Sequence, residues 1–133
     1  MKIVIDNNIL FSLMKPDSTN SQLFRILNFE FISPVFALHE FKKYEDECLK
    51  KSGLSKQEFI KRKEIVINNI KFVKLEEYKS FIKEARSFSP DEDDSPYFAL
   101  CIKESCFLWS NDDKLKNQNQ IKILSTRDII HLL

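Results

Sequence analysis

Asp6, Glu40, Asp94 and Asp112 each stand where a strand or helix is expected to end or begin, and four carboxylates converging from such places would make a divalent-metal site. Asp6 closes the apolar run Ile3-Val4-Ile5, and Asp112 follows Phe107-Leu108-Trp109. The ends of buried strands are where ligands bind in open α/β sheets. Oxygen donors favour a hard cation, Mg2+ or Mn2+. Such an ion permits phosphodiester hydrolysis near neutral pH, because it acidifies bound water and covers charge on the scissile phosphate. Without it the carboxylates repel one another, which predicts at least one raised pKa and a tighter fold on metal addition. Taken singly, each acid has a plainer reading. Asp6 is a turn residue or helix cap, Glu40 a surface glutamate at the edge of the Leu38-Phe41-Cys48-Leu49 stripe, Asp94 a cap and Asp112 a turn acid. The four together favour the site.

The rest of the composition removes other chemistries. Gly53 is the single glycine, so phosphate-cradling loops, dinucleotide fingerprints, kinase lids and the GxSxG elbow are excluded. His39-Glu40 is followed by Lys43 where a zinc protease needs its second histidine. An EF-hand reading of Asp91-x-Asp93-x-Ser95 fails, since Pro96 takes the glycine position and Ile102 the glutamate position. Cys48, Cys101 and Cys106 form no CxxC pair and read as reduced core thiols, which with no leader segment in view suggests a cytoplasmic location. No apolar run is long enough for a membrane helix, so a soluble protein is expected. A formal net charge of +1 predicts no general coating of nucleic acid, so any such contact is local.

The elements that would position the acids follow from pattern. Lys2 to Ile5 is a doubly buried strand by its continuous β-branched run. Helices are expected over Asn8 to Met14 and Ser21 to Leu27, and a second strand over Phe29 to Ile32. Ser33-Pro34 predicts a helix start, with Ser as cap and Pro first in the helix, running to about Lys51. Ser55 and Glu58 form a capping box for a helix to about Asn68. Ile70 to Leu75 reads as strand three, Glu76 to Arg86 as helix, and Ser95-Pro96 opens a helix capped by Asp94 and reaching about Glu104. Phe107 to Ser110 and Ile121 to Leu124 are the last strands, and Thr126 caps a final helix. Strands alternating with helices predict one α/β domain over residues 1–133, a three-layer α/β/α arrangement with a parallel sheet of about five strands. The charged helical stretch between Glu40 and Asn69 carries no strand and is expected to protrude as an arm. From Lys42 to Lys79, 11 bases stand against 7 acids, so this arm is a candidate nucleic-acid contact, with a solvated face as its plain alternative.

The joint pattern resembles the PIN-domain family of VapC-like ribonucleases. Ile3-Val4-Ile5-Asp6-Asn7-Asn8-Ile9-Leu10 is similar to the family's opening strand with Asp-x-Asn. Asp93-Asp94-Ser95-Pro96-Tyr97-Phe98-Ala99-Leu100-Cys101 resembles its third acidic motif, and Trp109-Ser110-Asn111-Asp112 its fourth. The likeness spans the chain and is closest to stand-alone domains of archaeal type. It implies a divalent-metal-dependent endoribonuclease with a central parallel sheet. It also implies Asp6, Glu40, Asp94 and Asp112 as catalytic metal-binding acids, with Asn8 and Ser110 as supporting hydrogen-bond groups. Single-stranded or looped RNA, cut to 5′-phosphate and 3′-hydroxyl ends, is the implied substrate, and a small antitoxin and a homodimer are implied partners. Asp93 competes with Asp94, Asp113 with Asp112, and Glu45 and Glu47 with Glu40. Two other functions remain open: a non-catalytic RNA- or protein-binding module, and more weakly a phosphorylated receiver domain, whose phosphoacceptor aspartate after strand three is missing because Glu76 stands there.

Overall fold

The first strand, β1 (Lys2–Ile5), is the centre of the molecule in a computed structural model that describes residues 1–133. Ile3, Val4 and Ile5 are wholly buried, as a strand covered on both faces requires. β2 (Glu30–Pro34) pairs with one edge of β1 and β4 (Phe107–Trp109) with the other; β3 (Lys71–Val73) and β5 (Ile123–Leu124) complete the sheet. All four pairings are parallel, in the order β3-β2-β1-β4-β5. The chain builds outward from β1 to β3 on one side and from β4 to β5 on the other. The direction of winding therefore reverses between β1 and β4, which makes that junction the topological switch point of the sheet.

Helices cover the sheet in the expected three-layer α/β/α arrangement. α1 (Asn7–Ser12) leaves β1 after Asp6, and α2 (Thr19–Ile26) follows, capped by Ser18. α3 (Val35–Lys43) and α4 (Glu45–Ser52) replace the single helix expected to reach Lys51, because Tyr44 leaves helical geometry and turns its ring onto Phe11. Ser33 does not cap α3. It lies buried in β2 and donates a hydrogen bond to the Ile5 carbonyl at 2.9 Å, while Pro34 pairs in register with Val73. Gly53, with φ at 73°, ends α4 in the left-handed conformation that glycine adopts without steric cost.

α5 (Lys56–Asn68) opens with the expected capping box between Ser55 and Glu58. The arm made by α4 and α5 is anchored by Cys48, Phe59 and Val66, which are buried, while Ile60 and Ile65 face outward. Phe59 stacks on Phe41 of α3 with ring planes 10° apart. Beyond β3, α6 (Leu75–Tyr78) and α7 (Ile82–Phe88) are separated by a 3-10 turn over Lys79–Phe81, where one helix was expected. α8 (Ser95–Glu104) is the most deeply buried helix, with Tyr97 to Cys101 all inside. β5 is shorter than predicted, because the Gln118 carboxamide holds the Gln120 and Ile121 backbone amides in a turn. α9 (Thr126–Leu132) is capped by Ser125 in a box with Asp128, not by Thr126. No helix is long and apolar enough to cross a membrane.

Candidate metal centre at the sheet switch point

Register places the first pair of residues. Ile5 aligns with Trp109, so the next residues, Asp6 and Ser110, leave adjacent strands together at the switch point. The Asp6 amide still bonds the Trp109 carbonyl at 3.3 Å, which holds the two strand ends side by side. Asp6 also caps α1, accepting from the Ile9 amide at 2.8 Å through Oδ1. The plain reading of Asp6 as a cap and its reading as a site residue are thus compatible, since capping engages one carboxylate oxygen.

Asp6 is 4% exposed, and its pKa is pushed up to about 6, chiefly by burial. The Ser110 hydroxyl and the Ile9 and Asn8 backbone amides favour its charged form, while the neighbouring Asp112 charge opposes it. Ser110 is itself buried and accepts from the Asp112 amide at 3.1 Å. The hydroxyl therefore lies beside both acids, bonded to the Asp112 backbone and favouring the charged form of Asp6. Asp112 accepts the Lys114 amide at 3.1 Å in a turn that opens a short 3-10 helix.

Asp94 reaches the group from the start of α8. It occupies the cap position, but its side chain makes no capping bond, which leaves the carboxylate free. Its pKa is also pushed up to about 6, by burial first and then by the charges of Asp91, Asp112, Asp6 and Asp93. Asp93 and Asp113 are exposed, whereas Asp94 and Asp112 are half-buried. The raised carboxyl pKa expected from sequence is present at two positions, with desolvation ahead of mutual repulsion as its cause.

Glu40, on α3, is near enough to Tyr97 for its charge to act on the phenol, but it is not among the main charges acting on Asp6 or Asp94. Phe36, one turn before Glu40, meets the Tyr97 ring edge-on at 6.2 Å. Burial drives the Tyr97 phenol well above its ordinary pKa, and the charges of Asp6, Glu40 and Asp94 add to that. Tyr97 thus stands among three of the four acids, with Asp6, Asp94 and Asp112 sharing one locus. No lysine or arginine pairs with any of the four. Asn8 is exposed, and its contribution is the backbone amide beside Asp6.

Whether these residues suit a cation is a matter of donors and of unmet polar groups. No three carboxyl, imidazole or thiol groups converge closely enough to grip an ion as they stand. The donor set is nonetheless all oxygen and uncompensated, which matches a hard divalent ion. The Ser95 hydroxyl, buried at the start of α8, has no hydrogen-bond partner. Such orphans are rare in folded proteins and mark places where an ion, water or ligand is accommodated. Ser95 and Tyr97 carry no distinguishing signal in the sequence, because a serine before Pro96 reads as a helix start and a tyrosine in an apolar run reads as core. Nor does a network in which Thr126 accepts from Trp109 and Asn111 and donates to Asn20 at 2.6 Å, tying the strand end that carries Asp112 to α9 and α2.

Comparison with known proteins bears on the whole chain. A family model described as PIN domain matches residues 4–130. Among solved structures, VapBC2 from Rickettsia felis bound to a DNA fragment from its promoter superimposes with a TM-score of 0.72 at 15% identity, covering 94% of this chain and 98% of that one. PAE2754 from Pyrobaculum aerophilum superimposes with a TM-score of 0.64 at 11% identity, covering 99% and 88%. At such identities the structural likeness is one of fold. No curated protein matches by sequence.

Proposed function

The chain belongs to the PIN-domain family, and from that premise we propose that it is a divalent-metal-dependent endoribonuclease whose site comprises Asp6, Glu40, Asp94 and Asp112. The observation that carries this reading is the cluster of Asp6, Asp94 and Asp112 at the switch point, with no cationic side chain to balance it. A protein that placed buried carboxylates there for stability would pair them, since uncompensated charge at a buried position is costly. Mg2+ or Mn2+, when bound, supplies Lewis acidity and neutralises charge developing on a phosphate.

Each residue has a distinct task in this scheme. Asp6, held by the Ile9 amide and by Ser110, is the fixed anchor. Asp94 and Asp112, both half-buried, would hold the ion beside Asp6, with Glu40 of α3 as the fourth acid. Ser110 sets the orientation of Asp6 and the backbone of Asp112 together. Water attacks in line at phosphorus and the 2′-hydroxyl is not the nucleophile, so the products carry 5′-phosphate and 3′-hydroxyl ends. Single-stranded or looped RNA suits an open edge of this kind, because its backbone is not locked in a helix.

The VapBC2 likeness supports a toxin role with a small antitoxin partner, and a homodimer is part of the same proposal. The decisive test compares wild type with Asp94→Asn on labelled RNAs in Mg2+, Mn2+ or EDTA, with product ends mapped. Metal-dependent cleavage lost in the variant supports the nuclease; no cleavage by a folded wild type overturns it. One observation favours a second reading, a non-catalytic binding module: no three ligands are preassembled for an ion. Titration with Mn2+ that yields no saturable heat, alongside RNA binding in chelator, would select the module.

A further inference from the structure

Next to the acidic edge lies a groove of the opposite charge. It has a volume of about 920 Å³ and opens beyond the ends of β2 and β3. Val35, Phe36 and His39 of α3 form one wall, and the segment from Lys74 through α7 forms the other. Lys74, Lys79, Lys83 and Arg86 line it against a single acid, Glu76. Lys83 and Arg86 stand three apart on α7, the spacing that puts side chains on one helical face, and Lys79 lines the groove from the preceding 3-10 turn. The three lysines make no ion pair, and Arg86 pairs only with exposed Glu92 at 3.4 Å. Val35 and Leu75, on its lips, are 39% and 50% exposed.

The groove and the acids are contiguous. Pro96, which lines the groove, follows Asp94 by two residues, and Phe36, also in the groove, touches Tyr97 and lies one turn from Glu40. Both features occupy the same edge of the sheet, where strand carboxyl ends point.

We propose that this groove carries the single-stranded RNA flanking the scissile bond, with Lys74, Lys79, Lys83 and Arg86 on its phosphates and the apolar lips against its bases. The inference rests on the ribonuclease reading and extends it. An acidic edge alone repels a phosphodiester backbone, and unpaired cations beside it offset that repulsion and attract the strand. Apolar and aromatic surface next to cations is the combination that binds single strands through bases and backbone together. An acidic polypeptide would satisfy the cations but has no flat bases for the lips.

The test uses the full chain carrying Asp94→Asn in Mg2+, with anisotropy of a labelled 12-nucleotide oligouridylate measured against salt. Four phosphate contacts give a log–log salt slope of about −2.8 for a single strand. Adding Lys79→Gln with Lys83→Gln should halve that slope to about −1.4 and weaken binding at least tenfold. Lys50→Gln with Lys61→Gln, the same charge change on the arm, should stay within about twofold. In the otherwise wild-type enzyme the groove pair should raise KM and leave kcat within about twofold. Equal losses from the groove and arm pairs would overturn the groove in favour of diffuse charge. RNA cleaved and bound with the groove pair unaffected would overturn the groove and leave the nuclease standing. RNA neither bound nor cleaved by wild type would overturn both. Displacement of RNA by polyglutamate at matched ionic strength, abolished by the groove pair, would assign the groove to an acidic polypeptide and overturn the proposal.

Discussion

Replacing Asp6 with Asn should make the protein more stable and abolish the proposed nuclease activity, and the size of the stabilisation follows from the structure. Asp6 ionises at about 6 in the fold against an ordinary value of 3.8, with burial as the main cause. At about 1.4 kcal/mol per pH unit, that difference is a penalty of about 3 kcal/mol once both states are ionised. The sign follows from proton binding: between the two values the native state holds the proton more tightly than the unfolded chain. The contribution is therefore fully favourable below about 3.8 and lost as the pH rises through about 6. At pH 4.5 the penalty is about 1 kcal/mol and at pH 8 about 3. Asn caps a helix about as well as Asp, so the cap to Ile9 survives, with about 1 kcal/mol lost where the charge strengthened hydrogen bonds. Urea unfolding in EDTA should find Asp6→Asn about 2 kcal/mol more stable than wild type at pH 8 and near parity at pH 4.5. Subtracting the two proteins at each pH cancels titrations common to both. Mg2+ should then stabilise wild type more than the variant, by about 2.7 kcal/mol at a hundredfold excess over its dissociation constant. A stability difference independent of pH, or a variant less stable at pH 8, would refute the view that Asp6 is held charged against its environment.

Two further predictions concern the frame around the site. Phe59→Ala should cost about 3 kcal/mol in urea unfolding, because the ring is 3% exposed and stacked on Phe41; a loss under about 1 kcal/mol would mean the arm is not anchored there. Ser105, a non-glycine residue with φ at 51° after α8, should become more comfortable as Gly, raising stability by about 0.5 kcal/mol, readable as a higher melting temperature.

Strand positions were legible in sequence because burial on both faces leaves continuous apolar runs, as in Ile3-Val4-Ile5 and Phe107-Leu108-Trp109. Ends were harder. Ser33-Pro34 has the same spelling whether it caps a helix or finishes a strand, and the deciding fact is the Ile5 carbonyl 2.9 Å away on another strand. Ser125 displaced Thr126 as cap because Asp128 stands three residues after Ser125, a pairing that the alternative cap would forgo. The acids were visible as acids after strands, but their proximity depends on β1 pairing with β4 rather than β3, which no local pattern states. Tyr97 and Ser95 were hidden for the opposite reason: their local setting is ordinary, and only three dimensions single them out, Ser95 by its lack of a partner and Tyr97 by the acids around it.

A net charge of +1 conceals a separation that bears on both proposals. The acids at the switch point have no cationic partner, and Lys74, Lys79 and Lys83 a short distance along the same edge have no acidic one. Side chains of opposite sign on neighbouring elements could relieve one another, yet the main charges acting on Asp94 are those of other aspartates. On the two proposals above, the first set would face a cation and the second an anion. A substrate that is an anion needing a cation at one bond would satisfy both at once, and the phosphodiester strand of the proposed function has that character. The same logic fixes the order of events, since the cation must reduce the repulsion at the edge before the strand in the groove can extend across it. RNA affinity should accordingly rise with Mg2+ in the Asp112→Glu variant, which retains four carboxylates, and stay flat in Asp6→Asn. Affinity that is insensitive to Mg2+ in both would show that the two fields act independently.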